Sequence, residues 1–410
     1  MRILYITQWF DPEPAFKGLD FAKALAAAGH DVEVATGFPN YPGGTLYPGF
    51  SLRPYRRDDM DGISVHRLFL YPSHDRSSLG RALNYLSFFL SVLAFGLLRG
   101  RRYDAVYVYH PPITPGLAAA LFTRIWRRRL VIEIQDLWPD SVGASGMANQ
   151  RVIALLGRLC RFVYRAADIV VPQSDGMRRR LIERGVPEAK LNRIYNWATY
   201  EPGPAEAPDM FADHINIVYG GNLGQAQALD RLVDAFDIAR RDTPALRLHL
   251  FGDGIERDRL ARRAAERADG GLHLHPPVSR DRMDRIFDAA DILAVHLKDD
   301  PLYQITIPSK TQHYLACGKP IIAGLSGEAA DILRRSGAAI VCAPGDVAAM
   351  AEGLRTLADM SPEERRSMGQ RARVYYEDHF SMGRAVEQTL RLISGRDRSD
   401  ADQDRAEQER

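Results

Sequence analysis

The sequence predicts an α/β protein of two doubly wound, Rossmann-like domains facing a central cleft. Three observations carry that prediction: a strand-helix-strand unit opens the chain, the same grammar restarts near residue 215, and a proline-rich stretch separates the two. Length agrees, because 410 residues exceed what one ordinary core organises.

Taken in order, residues 2–7 read as a buried strand, 19–28 as a helix with apolar periodicity, Gly29-His30 as its turn and 31–36 as the returning strand. Strands at 105–109, 130–134 and 169–171 continue this first sheet. Between them, residues 82–98 are mostly apolar and are bracketed by Arg81 and by Arg99, Arg101 and Arg102. A bilayer span takes about 20 residues. This run is shorter and is interrupted by Asn84, Ser87 and Ser91, which leaves a core helix or an interfacial helix ahead of a spanning one. The prolines at 202, 204 and 208 forbid regular structure and mark a linker over 200–210. The second half supplies a strand at 215–219, a glycine loop at 220–224, a helix at 229–240, and a strand at 246–251 ending in Gly252-Asp253-Gly254. Strands at 292–297, 320–323 and 339–341 follow. The domains are thus expected at 1–199 and 211–394, with the final helices packing back on the first. The tail 395–410 has no aliphatic residue larger than alanine and reads as a solvated end.

Open α/β sheets bind ligands at the carboxyl ends of their strands, so the chemistry is sought there. Neither half holds an intact G-x-G-x-x-G, which argues against a dinucleotide cofactor. The segment 302–322 is the most informative. Pro308 suits a helix start, Ser309 caps free N–H groups, and Lys310 adds a full charge where the helix dipole favours a phosphate. Gly318 then ends the helix and Pro320 prevents its resumption. Lys298 follows a strand end, and Glu328 sits in the first turn of a predicted helix. In the first half, His110 closes one strand before Pro111-Pro112, and Asp136 follows another, where a carboxylate accepts or orients a hydroxyl or else caps a helix.

Residues 1–200 hold 26 Lys/Arg against 17 Asp/Glu, a balance of +9, while 201–410 hold 28 against 35, a balance of −7. A basic half fits an anionic partner such as lipid headgroups. Nucleic acid is disfavoured, because the basic residues are spread over helices without aromatic interleaving. Cys160, Cys317 and Cys342 form no paired framework and no ligand spacing, which predicts a reducing compartment and no metal site. The opening residues read as a strand and not as a secretory leader, so the expected location is the cytoplasm.

Several segments together resemble glycosyltransferase family 4 over roughly residues 1–394. They are Gly29-His30-Asp31-Val32, Gly37-Phe38-Pro39-Asn40-Tyr41-Pro42, Asp136-Leu137-Trp138-Pro139-Asp140, Tyr219-Gly220-Gly221-Asn222-Leu223-Gly224, Ala290-Asp291-Ile292, the segment around Lys310 with Ala316-Cys317-Gly318-Lys319-Pro320, and Gly327-Glu328-Ala329-Ala330. The pair GFPNYP and DLWPD resembles the bacterial subgroup that transfers amino sugars such as N-acetylfucosamine in O-antigen, capsule or exopolysaccharide assembly. The resemblance implies the GT-B fold, a UDP-sugar donor on the second domain, and retaining, metal-independent transfer to a polyprenyl-pyrophosphate-linked saccharide bound by the first. Gly18, Gly221, Asn222, Leu223, Gly252, Lys298, Pro308, Ser309, Lys310 and Glu328 are expected to face the donor, and the strand ends and helix start point to Asp136, His110 and Lys310 for catalysis. No separate cofactor is implied. The chain would then sit peripherally on the inner membrane through 81–102, with Phe88, Phe89, Leu93 and Phe95 inserting. Departures are plain: His313 and Ile305 stand where many members carry glutamates, Asn222 and Gln227 where an Arg and a Lys clamp the diphosphate, Gln135 where a histidine is usual, and Ala15-Phe16-Lys17-Gly18 where a glycine pair is. Two other readings stay open, an epimerase or hydrolase of the same fold and a noncatalytic nucleotide-sugar-binding scaffold.

Overall fold

The structure is a computed structural model and describes residues 1–73, 78–110, 113–140, 149–201, 203, 211–267 and 270–395. It divides into two compact units. The first takes Met1–Ile194 and the chain from Gly383 onward, and the second takes Tyr195–Met382.

The first unit is built on seven strands, β1 (Arg2–Thr7), β2 (Asp31–Gly37), β3 (Tyr55–Met60), β4 (Ile63–Leu68), β5 (Ala105–His110), β6 (Arg129–Ile134) and β7 (Ile169–Pro172), in the order β3-β4-β2-β1-β5-β6-β7. Only β3 runs antiparallel. The central strands are covered on both faces, which is why ILYI and AVYVY read as unbroken apolar runs. The β3–β4 hairpin is an element the sequence reading missed. Its turn is Asp61-Gly62, both at positive φ (51° and 84°), the conformation a two-residue hairpin favours. The charged outer strand YRRDDM concealed it.

The second unit carries an all-parallel sheet, β8 (Ile215–Gly220), β9 (Leu246–Phe251), β10 (Leu272–His275), β11 (Ile292–His296), β12 (Ile321–Gly324) and β13 (Ala339–Cys342), ordered β10-β9-β8-β11-β12-β13. Two apolar clusters cover its two faces, one around Phe287, Tyr314 and Ile332, the other around Leu232, Phe236 and Leu354.

The division between units falls earlier than the expected 199, because three tyrosines secure the preceding segment to the second unit. Tyr195 donates to Glu328, Tyr376 bonds both backbone groups of Ala198 at 3.2 Å, and Tyr200 donates to Asp288 at 2.6 Å. Of the linker 200–210, residue 202 and residues 204–210 lie outside the described part, as does the tail 396–410. The second unit also ends before 394. The last helix, Met382–Ser394, belongs almost wholly to the first unit, where Leu392 O accepts from Arg129 Nε at 2.8 Å.

The apolar run forms the helix Ser78–Arg99. Its polar residues face inward: Asn84 accepts from Gln8 at 2.6 Å and donates to Tyr71 O, and Ser87 Oγ accepts from Tyr71 N–H. Phe88, Val92 and Phe95 share that buried side. Phe88 and Phe95 therefore belong to the core and are not available for insertion as the sequence had suggested. The outward stripe is instead Leu79, Leu83, Leu86, Leu90 and Leu97, at helical spacing, with Leu98 84% exposed.

Candidate active site

In the second unit, two glycine loops leave the carboxyl ends of β8 and β9 and lock onto each other. Gly221 N–H donates to Phe251 O at 2.9 Å, Leu223 N–H to Asp253 O at 2.8 Å, and Glu256 N–H to Leu223 O at 2.9 Å. Gly252, at φ 143°, lies so close that any Cβ would drive into the carbonyl oxygen of Gly221. The loops therefore approach backbone to backbone, which only glycine permits. Asn222 is held through its carbonyl, which accepts from Tyr219 Oη at 2.6 Å, and Gln227 accepts from Gly224 N–H at 3.1 Å.

Lys310 lies against this pair of loops. Its ammonium is 5.0 Å from the centroid of the Tyr219 ring, and a Cβ on Gly221 would stand 2.6 Å from its Nζ. Among the described residues it has neither an ion pair nor a hydrogen bond. Burial pushes its pKa down to about 8. A desolvated cation without a counter-ion is costly, and the cost is offset when an anion joins it. Lys310 is the second residue of the helix Ser309–Cys317, so the free N–H groups of the first turn lie beside it. Pro308 is the N-cap and its carbonyl accepts from Thr311 N–H at 2.8 Å. Ser309 makes no capping bond, contrary to the sequence expectation, because it stands one position inside the helix.

The other second-unit candidates divide. Lys298 N–H donates to Ala226 O, tying its loop to the segment after the glycine loop, but its ammonium is half exposed and 3.7 Å from Asp300. Asp300 also caps the short helix Pro301–Gln304 by accepting from Leu302 N–H. Glu328 is buried in the first turn of the helix Gly327–Ser336 and accepts from Tyr195 Oη at 3.1 Å. His313 turns away to pair with Asp284 at 2.7 Å, which explains structurally why this position is not a carboxylate here. Among the described residues no group of three or more His, Cys, Asp or Glu converges as a metal site.

In the first unit, Asp136 follows β6. Its residue keeps a substantial open surface, yet partial burial of the carboxyl lifts its pKa above the ordinary carboxylate range. The described residues give that carboxyl no hydrogen-bond or ionic partner. The remainder of the motif is structural: Arg184 pairs with Asp140 and donates to Trp138 O at 2.9 Å, and Trp138 stacks edge-on against Tyr85 of the helix Ser78–Arg99. His110 ends β5 in register with Ile134, and its imidazole lies outside the described part of the structure. Gly18 has a different explanation from the predicted donor contact. It leaves room for the Asp11 carboxylate, which accepts from Leu19 N–H at 2.7 Å and caps the helix Leu19–Ala27.

Sequence reasoning missed the support beneath Asp136. Lys17 and Glu133 are both fully buried and pair at 2.5 Å, with Tyr107 donating to the same carboxylate and Gln135 to its other oxygen. The readable signal was a glutamate inside the apolar strand RLVIEI, which demands a buried cation. Glu13 was likewise overlooked. Its carboxylate accepts N–H groups from Phe10, Asn40 and Tyr41, fixing the GFPNYP loop from below.

Two doubly wound units on mainly parallel sheets make the GT-B fold, and comparison with known proteins places the chain among glycosyltransferases. Residues 19–197 match the glycosyl transferase 4-like domain and residues 214–360 match the glycosyl transferases of group 1. A relative from Escherichia coli K12, named as the colanic acid biosynthesis glycosyl transferase WcaI, is 27% identical over 87% of this chain and 91% of its own. WbjE from Pseudomonas aeruginosa, named as a glycosyltransferase, is 25% identical over 69% of this chain and 73% of its own. Among solved structures, Anabaena Alr3699/HepE in complex with UDP superposes with a TM-score of 0.68 at 17% identity, covering 96% of this chain and all of that one. WaaG, a glycosyltransferase involved in lipopolysaccharide biosynthesis, superposes at 0.61 with 14% identity, again over 96% of this chain and 100% of that chain. The chain belongs to glycosyltransferase family 4.

Proposed function

We propose that this glycosyltransferase moves an N-acetylated amino sugar from a UDP-linked donor to a saccharide carried on polyprenyl pyrophosphate, in the assembly of a bacterial surface polysaccharide. The observation that carries the reading is the buried Lys310 ammonium, unpartnered among the described residues, against the paired glycine loops. A diphosphate is the ligand that such a cation and a helix N-terminus accommodate together. The UDP bound by HepE and the colanic acid role in the name of WcaI support the donor class and the biological setting.

The anomeric carbon–oxygen bond to the diphosphate breaks while the acceptor hydroxyl oxygen bonds to the same face of the sugar and its proton passes to the departing diphosphate oxygen, so configuration is retained. Lys310 and the first-turn N–H groups stabilise the charge that develops on the departing diphosphate, and the transfer is metal-independent. Asp136 orients the acceptor hydroxyl. Trp138, two residues on, rests against Tyr85 of the helix whose outer stripe is leucine. That helix, with Arg81, Arg99, Arg101 and Arg102 around it, rests on the cytoplasmic face of the inner membrane and brings the Asp136 loop to a lipid-borne acceptor.

A thermal-shift screen of nucleotide sugars tests the donor class, since a ligand stabilises according to its affinity. UDP and UDP-sugars should raise the melting temperature. A shift with guanosine or adenosine diphosphate sugars and none with UDP would rule the donor assignment out.

A further inference from the structure

The first unit carries a recess of about 780 Å³ that neither the donor nor the acceptor reading uses. Arg124, Arg127, Arg128, Arg129 and Arg165 line it, with Asp168 as the one acid on its wall. It opens at the amino end of β6, the opposite end of that strand from Asp136.

The bland explanation is that these arginines offset helix dipoles, because the helices Ile113–Trp126 and Gln150–Ala166 both end here. The magnitudes do not close. Two helix C-termini supply about one negative charge between them, and Asp168 one more, so roughly three positive charges remain. The Asp168 carboxylate is moreover occupied by Leu130 N–H at 2.7 Å. None of the five guanidinium groups forms an ion pair among the described residues. Arg128 and Arg129 are held in place by neutral acceptors, the carbonyls of Arg101 and Leu392, each at 2.8 Å. The Arg128 Nε is buried with no hydrogen-bond partner among the described residues. Arg127 adopts φ 51° because it stops the helix Ile113–Trp126, and Arg128 N–H donates back to Thr123 O at 2.9 Å, so the turn fixes where the two arginines leave the helix end. Forked guanidinium donors match phosphate oxygens in geometry as well as charge.

The rim indicates which phosphate. Trp126 Nε1 donates to Gly96 O at 3.1 Å and Arg128 reaches Arg101 O, which fastens the recess to the carboxyl end of the helix Ser78–Arg99. There Leu98 is 84% exposed, and Ile125 on the neighbouring helix is 59% exposed. Uncompensated arginines beside bare aliphatic side chains suit a surface that is anionic at one depth and apolar just beneath. We propose that this recess binds the phosphates of anionic phospholipid headgroups while Leu98 and Ile125 enter the acyl boundary. The inference rests on the membrane contact proposed above for the helix Ser78–Arg99.

Cosedimentation of the full chain with phosphatidylcholine vesicles, with and without phosphatidylglycerol, tests it. Wild type should prefer the anionic vesicles. The triple variant Arg124→Gln/Arg127→Gln/Arg165→Gln should lose roughly 10²-fold in affinity for them, at about fivefold per arginine, with binding to neutral vesicles unchanged. Should that variant melt early, the pair Arg124→Gln/Arg165→Gln, both exposed, should still lose roughly 25-fold on the same scale. Arginine variants that bind anionic vesicles like wild type would overturn the recess. Leu86→Ser/Leu90→Ser tests the helix separately and should lose binding to both vesicle types. Wild type that binds no vesicle overturns the membrane contact itself. Saturable inorganic pyrophosphate binding that the triple variant abolishes, without any preference for phosphatidylglycerol, would assign the recess to a soluble diphosphate and overturn the lipid assignment.

Discussion

Replacing Lys310 with methionine should stabilise the free protein while removing its ligand response. Burial holds the Lys310 pKa near 8 against an ordinary 10.5, so at pH 7 the folded chain carries a charge its surroundings disfavour. At about 1.4 kcal/mol per pH unit, that gap costs the fold roughly 2–4 kcal/mol. The contact over the Tyr219 ring returns about 0.5–1 kcal/mol, which leaves methionine ahead by roughly 1–3 kcal/mol. For a protein of this size each kcal/mol moves the melting temperature by about 2–4 °C, so the ligand-free variant should melt roughly 2–12 °C higher. The pH dependence has a definite sign. Between pH 8 and 10.5 the unfolded chain keeps the proton that the folded chain releases, so wild-type stability rises through that window and the gap to the variant closes. UDP needs the charged form. Its affinity for wild type should be level below pH 8 and fall above it, while the variant should show little UDP-induced shift at any pH. Scanning calorimetry of both proteins from pH 7 to 10.5, with and without UDP, supplies every term. A variant that melts below wild type without ligand, and still gains from UDP, would refute the reasoning.

Gly252→Ala should cost about 3 kcal/mol or more in urea unfolding, because a Cβ meets the Gly221 carbonyl at a backbone angle that alanine resists; a cost below about 1 kcal/mol would mean the loops part easily. Glu133→Gln should lose about 3–5 kcal/mol by leaving the Lys17 cation buried and unpaired, and a near-neutral result would show that Lys17 is held uncharged. Asp136→Asn should reduce kcat for transfer by at least about 10²-fold with UDP affinity nearly unchanged. Parallel loss of both would move Asp136 from acceptor orientation to structural support.

The alternation of buried strands and amphipathic helices made both sheets readable, since runs such as ILYI and INIVYG state their two-sided burial directly. The helix start at Lys310 was also readable, because Pro308 and Gly318 punctuate it at either end. What stayed hidden depends on long-range partners. Nothing local to Lys17 announces Glu133, 116 residues away, and nothing local to His313 announces Asp284. Gly18 was legible as a special position but not as the space for Asp11. The helix Ser78–Arg99 shows the same limit in another form. Its apolar run is plain, yet which side is core was decided by Asn84 and Ser87 finding Gln8 and Tyr71, so Phe88 and Phe95 went inward and Leu83, Leu86 and Leu90 outward. The hairpin β3–β4 was masked because charge on an edge strand resembles a loop, although Asp61-Gly62 carried the turn signal.

The central claim is sugar transfer from a UDP-linked donor that Lys310 helps to hold. Incubating the protein with UDP-N-acetyl amino sugars and a polyprenyl-pyrophosphate-linked saccharide, and following UDP release together with extension of the lipid-linked product, tests it most directly. Equimolar UDP and extended product, with the donor's anomeric configuration kept in the product and the rate cut at least about 10²-fold by Lys310→Met, is the predicted result. UDP released at the same rate without acceptor, or equal turnover by Lys310→Met, would contradict it.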